Sequence, residues 1–124
     1  MNEPIPLATF LAALSKADLK AWADNEPVPV LPDEPESYFE LDQDGTILIA
    51  LSELRTKRDP EEDADSVHRA MVFAAAAREG HLPKRAPITV AAEGGAFLIL
   101  DGTSTYGAAV RAGWRTIPAR IVEG

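Results

Sequence analysis

The chain has 124 residues, of which 46% are hydrophobic, a size and composition that suit one domain with its own core. It holds no cysteine, which excludes disulfides, thiol catalysis and cysteine-ligated zinc and fits a reducing compartment. The net charge is −8, and residues 1–65 carry 16 acids against 5 bases (net −11) while residues 66–124 carry 4 acids against 7 bases (net +3), so non-specific binding to nucleic acid is disfavoured while the second half can still hold a small anion.

Residues 6–24 place Leu7, Phe10, Leu11, Leu14, Leu19 and Trp22 at near-helical spacing, with Pro6 where a helix start tolerates a missing N–H. The pattern predicts one helix whose apolar stripe packs on the domain or on a partner. Residues 25–37 hold Pro27, Pro29, Pro32 and Pro35 among Asp33, Glu34 and Glu36, which predicts an extended acidic connector without a packed element. A boundary here divides residues 1–37, the N-terminal helix and connector, from a main domain over 38–124. The segments 38–41 and 46–51 flank Asp42-Gln43-Asp44-Gly45, a hairpin signal, and residues 52–62 read as a charged connection.

Asp63, Asp65 or Ser66 can cap a helix that runs to about Glu79 and stops at Gly80. Its apolar stripe is Val67, Met71, Val72, Ala74 and Ala75. The segments 87–92 and 96–100 form a second hairpin around Glu93-Gly94-Gly95. A helix from about Ser104 to Ala112 stops at Gly113, and 117–122 is a closing strand with Pro118 near its start or on an edge. The fold class is therefore α+β, a small mixed sheet with packed helices plus an N-terminal helix. No apolar run approaches the roughly 20 residues that cross a bilayer, and Met1-Asn2-Glu3-Pro4 lacks the basic region of a secretory signal. The sequence reads as soluble and cytoplasmic, with no membrane partner.

The stretch richest in chemistry is 97–122. It reads as strand, the turn Asp101-Gly102, the hydroxyl cluster Thr103-Ser104-Thr105, a short helix of small residues and a closing strand. A glycine turn entering a helix leaves N–H groups pointing outward under the positive end of the helix dipole, where phosphate binds readily. Spacing alone favours a plainer alternative, in which Asp101-Gly102 is a turn and Thr103 or Ser104 an N-cap.

The order of these residues resembles the signature of the ParB/sulfiredoxin superfamily, in which a strand, a glycine turn, a polar or basic triplet, an alanine-rich helix and an Ile-Pro strand follow one another. Gly102 and Thr103-Ser104-Thr105 match the turn, Tyr106, Ala108 and Ala109 the start of the helix, and Thr116-Ile117-Pro118 the strand. Leu51-Ser52-Glu53-Leu54-Arg55 is similar to the family's opening segment, and residues 1–37 lie outside the resemblance. Sulfiredoxins carry Cys-His-Arg at the triplet, so their sulfinic-acid chemistry is excluded here. ParB-type members carry a basic pair after the glycine that grips nucleotide triphosphate, and this chain lacks it. A looser set of ParB-like domains with Asp-Gly-polar-small-Thr at the turn fits better.

The resemblance implies a nucleotide or phosphate group held by Asp101, Gly102, Thr103, Ser104 and Thr105. Arg55 is the first choice for a borrowed cation, since the family's corresponding loop lies near the ligand, and Lys57 and Arg58 are its neighbours. The implied ligand is a nucleoside triphosphate with magnesium, and the implied activity weak nucleotide hydrolysis or phosphotransfer. No catalytic residue and no metal-ligand set is named. Asp101 either holds magnesium or, more simply, binds the turn's own N–H groups. Lys84 and Arg85 either line an anion site or cap a carbonyl end, the second being favoured. His68 and Arg69 read as an exposed helix face, His81 as a helix end, and Glu61-Glu62-Asp63 with Asp65 as charge favourable to a helix start. Trp114 and Tyr106 read as packing residues. The alternative function is a catalytically inactive interaction or regulatory module that binds a protein partner through residues 1–37. Direct action on nucleic acid is disfavoured by the charge and by the absence of a basic helix.

Overall fold

The computed structural model describes residues 5–42 and 45–123. The N-terminal apolar pattern makes two helices, α1 (Leu7–Ala12) and α2 (Lys16–Asp24), where one was expected. The break falls at Ser15, whose side chain accepts a hydrogen bond from the Asp18 N–H at 3.1 Å and so starts a new helix. The proline-rich segment is not a bare connector either. Leu31 is buried, and Pro35 opens a short helix, α3 (Pro35–Tyr38).

Five strands follow: β1 (Thr46–Ala50), β2 (Leu54–Arg55), β3 (Ile88–Glu93), β4 (Ala96–Asp101) and β5 (Thr116–Ile121). The long helix α4 (Ala64–Arg78) precedes β3, and α5 (Thr103–Ala112) joins β4 to β5. The sheet order is β1-β5-β3-β4-β2. β1 and β5 are antiparallel, β5 and β3 parallel, β3 and β4 antiparallel, and β4 and β2 parallel, so the sheet is mixed as expected.

The first expected hairpin is not formed. β1 pairs with β5 from Thr46↔Arg120 to Ala50↔Thr116, while Phe39 bridges to Arg85. The Glu40 N–H donates to the Arg85 carbonyl and the Arg85 N–H to that of Tyr38, at 2.9 and 2.8 Å, so the backbone after α3 is already engaged elsewhere. Two of the four turn residues of that hairpin, Gln43 and Asp44, lie outside the described residues. The charged connection also carries structure, since Leu54 and Arg55 form the edge strand beside Phe97 and Leu98. β5 is internal, which puts Pro118, paired with Leu48, inside the sheet and fully buried.

Period-two alternation sends Ile49, Ile88, Val90, Ile99 and Ile117 to one face, where they meet Val67, Met71 and Ala74 of α4 and Ala108 and Ala109 of α5. Trp114 closes this core. It stacks on Tyr38 with centroids 4.9 Å apart and donates from Nε1 to the Leu31 carbonyl at 2.9 Å. Residues 31–39 are thereby built into the core. Asp63 caps α4, its Oδ1 accepting from the Ser66 N–H at 3.2 Å.

Candidate anion site at the Gly102 turn

The β3–β4 hairpin lays the end of β4 beside the start of β3, so Asp101-Gly102 meets Ile88. Gly102 has φ +106°. A Cβ there would sit 2.4 Å from Ile88 Cγ2 and 3.3 Å from Ile88 Cα, so both the backbone conformation and the contact demand glycine. A second close approach holds α5 in place. A Cβ on Gly107 would lie 2.7 Å from Val67 Cγ2 and 2.8 Å from Pro60 Cβ, so the helix is seated on α4 and on the turn over residues 60–63.

Gly102 is itself the N-cap of α5, and no side chain caps the helix. The first hydrogen bond of the helix runs from the Tyr106 N–H to the Gly102 carbonyl at 2.9 Å. The N–H groups of Thr103, Ser104 and Thr105 therefore have no partner within the helix. The plainer alternative, with Thr103 or Ser104 as cap and Asp101 bound to the turn, is not what forms. Asp101 stays in β4 opposite Thr89, is exposed, and makes no side-chain hydrogen bond among the described residues.

Two adjoining cavities open at this turn. The larger, about 540 Å³, has an apolar wall of Leu19, Phe73, Leu82, Pro87 and Ile88. Lys84, Arg85, Asp101, Gly102 and Thr105 supply its polar side. The smaller, about 320 Å³, is lined by Arg58, Arg85 and the whole run from Leu100 to Thr105.

Arg85 belongs to both cavities. Its guanidinium carbon lies 5.8 Å from the centre of the Phe73 ring, and its Nε is buried without a hydrogen-bond partner among the described residues. Burial lowers its pKa from the ordinary guanidinium value, and guanidinium stays charged at any ordinary pH. A half-buried guanidinium lining the same cavities as uncapped helix N–H groups is an arrangement that suits an anion.

The other cations divide. Lys84 Nζ donates to the Glu36 carbonyl at 2.7 Å, as favoured, and Arg69 is bound to Asp24 at 2.8 Å, while Arg58 is exposed over Thr103 and Ser104. Arg55, the first choice from sequence, gives its Nη1 to the carbonyls of Ser52 and Leu54 at 3.0 and 2.8 Å and is not among the residues lining these two cavities. His68 is more than an exposed helix face. Its Nε2 bridges the carbonyls of Ala23 and Glu26 at 3.2 and 2.9 Å. Among the described residues no group of three His, Asp or Glu is placed to hold a metal, and no helix is long and apolar enough to cross a membrane.

Of the two readings the sequence offers for Arg85, the favoured carbonyl cap does not form, since its side chain donates to no carbonyl among the described residues, and the residue lines both cavities. Backbone bonds to Tyr38 and Glu40 hold Arg85, and β3–β4 pairing brings residues 101–105 to the cavities it lines. The one available signal was a basic residue two positions before the proline that opens the partner of the turn strand.

No family model matches the chain, and no curated protein does. Among solved structures, 64% of the chain is similar to the sulfiredoxin of Arabidopsis thaliana, at 23% identity and a TM-score of 0.49 over 85% of that chain. The same share is similar to the C-terminally truncated chromosome-partitioning protein ParB of Caulobacter crescentus, complexed with CTP-γ-S, at 25% identity and a TM-score of 0.44. The latter match spans 45% of that chain.

Proposed function

We propose that this chain binds the phosphate group of a nucleotide at the Gly102 turn, with Arg85 as the principal cation in place of Arg55. The observation that carries this reading is Arg85, which lines both cavities together with residues 101–105 and whose side chain makes no ion pair among the described residues. The uncapped N–H groups of Thr103, Ser104 and Thr105 and their hydroxyls would grip the equatorial oxygens, and Arg58 would add charge from the open side. The 540 Å³ cavity is of the size that small-molecule sites have, and its apolar wall suits a nucleoside. Asp101 lines both cavities and fits the single carboxylate with which a magnesium ion is commonly held alongside phosphates. Weak hydrolysis or phosphotransfer would follow from such a site only if a group positioned the attacking water, and no residue is assigned that task.

The test is a thermal-shift panel of ATP, CTP, GTP, pyrophosphate and sulfate, each with and without magnesium. A ligand at 100 times its Kd stabilises by about 2.7 kcal/mol. A shift in the wild type that disappears in Arg85→Met and shrinks in Thr103→Val supports the reading. No shift with any anion at millimolar concentration refutes it.

One observation favours the alternative of a protein partner for residues 1–37. Ile5, Phe10, Val28 and Val30 are 68%, 45%, 64% and 90% exposed, and a groove of the same segment is lined by Leu7, Trp22, Pro27 and Pro29 against Ala75. In this reading Phe10→Ser and Val30→Ser abolish partner capture while the unfolding midpoint is retained. Capture that survives both changes sets the reading aside.

A further inference from the structure

We propose that helix α2 supplies part of the ligand site, with Leu19 meeting the nucleoside and Lys20 the phosphate. This rests on the anion-binding reading above and goes beyond it, because residues 1–37 lie outside the family resemblance and were expected to pack on the domain or on a partner. Leu19 lines the 540 Å³ cavity that also holds Gly102 and Thr105. Lys20 lines a neighbouring one of about 180 Å³ together with Arg69, Phe73, Arg85 and Ser104. Phe73 and Arg85 are common to both, so the two openings are neighbouring parts of one concave surface.

Charge supports the same conclusion. Residues 1–37 contain seven acids and two lysines, yet the residue of this acidic segment that lies over the cationic cavity is a lysine. Among the described residues Lys20 takes part in no ion pair, and Arg69 is answered by Asp24. Lys20 and Arg85 are thus gathered around one opening, a like-charge arrangement that an anion relieves. α2 is also fixed where it lies. The His68 Nε2–H is shared by the carbonyls of Ala23 and Glu26 at its C-terminal end, and Asp24 accepts from Arg69 Nε at 2.8 Å.

Calorimetric titration of the full chain with pyrophosphate and with ATP and CTP tests this, comparing wild type, Lys20→Gln, Leu19→Ala and Arg85→Met. Both α2 changes keep good helix formers, and a retained unfolding midpoint verifies the fold. Lys20→Gln is expected to weaken pyrophosphate and nucleotide alike, by roughly tenfold. Leu19→Ala is expected to weaken the nucleotides by about 3–10-fold and leave pyrophosphate unchanged. Wild type that binds none of these ligands overturns the anion-binding reading and this proposal with it. Wild-type binding that is lost in Arg85→Met but unchanged in both α2 variants keeps the first and overturns the second. Equal weakening of pyrophosphate and nucleotide by Leu19→Ala overturns the nucleoside contact.

Discussion

Replacing Gly102 by alanine is the sharpest test of the geometry at the turn. The new Cβ would meet Ile88 Cγ2 at 2.4 Å and Ile88 Cβ at 2.9 Å, and the backbone at φ +106° lies where side-chain-bearing residues are rare. Backbone strain of this kind costs about 1–3 kcal/mol, and overpacking a buried contact adds about 1–3 kcal/mol, so the loss is roughly 2–6 kcal/mol. For a domain of this length each kcal/mol lowers Tm by about 3–6 °C, which gives a fall of at least about 6 °C. Gly94→Ala is the control. Its φ is +57° with nothing within 4 Å of the added carbon, so only strain of about 1–2 kcal/mol is expected. Urea unfolding should therefore separate the two variants. A second arm identifies the contact. Ile88→Val keeps Cγ2 and should give no rescue of Gly102→Ala, whereas Ile88→Ala removes it and should show favourable coupling in a double-mutant cycle. If Gly102→Ala costs no more than Gly94→Ala, the close approach of the turn to β3 is wrong, and so is the placement of the N–H groups that depends on it.

Other consequences follow from the same contacts. Trp114→Phe keeps an aromatic ring against Tyr38 but strands the buried Leu31 carbonyl, so stability should drop by about 1–3 kcal/mol in urea; a change near zero would mean that residues 31–39 are not anchored there. Ser15→Ala removes the cap that divides α1 from α2 and should cost about 1 kcal/mol, read from the urea midpoint. Hydrogen bonds from Ser66 hold the Asp63 carboxyl below its ordinary value, as the Arg111 side chain does for Glu61. Because both folded pKa values are depressed, their stabilisation is present above the unfolded carboxylate range and is lost as pH falls through the folded values. The wild-type thermal midpoint should exceed that of Ser66→Ala at neutral pH, and the two curves should converge at acid pH; parallel curves would contradict the assignment.

Local signals were enough for elements whose residues are their own neighbours. A cap among Asp63, Asp65 and Ser66, the small-residue helix after Gly102 and a hairpin turn around Glu93-Gly94-Gly95 could be read from the chain, because each depends on hydrogen bonds or φ values spanning a few positions; the structure narrows the first to Asp63 and the last to Gly94-Gly95. The two N-terminal helices were merged because their apolar spacing continues across Ser15, and periodicity does not register a cap inside it. The first hairpin failed for the opposite reason. Asp42 to Gly45 gives a local turn signal, but β1 finds a better partner in β5, about 70 positions later in the chain.

At the candidate site the same division holds. The sequence by itself determined the glycine turn and the hydroxyls of residues 103–105, since a strand running into Gly102 and a helix follows from short-range pattern. It also determined the acidic character of the first half and the absence of thiol chemistry. Only the tertiary structure decided which basic side chains line the cavities at the turn. Arg55 and Arg85 are equally basic on paper, but Arg55 gives Nη1 to carbonyls at a sheet edge, while Arg85, held by its backbone bonds to Tyr38 and Glu40, lines a cavity with Thr105. Likewise the 1–37 segment contributes Leu19 and Lys20 to that surface only because His68 and Arg69 hold α2 against α4, a contact across more than 40 residues that no local spacing encodes.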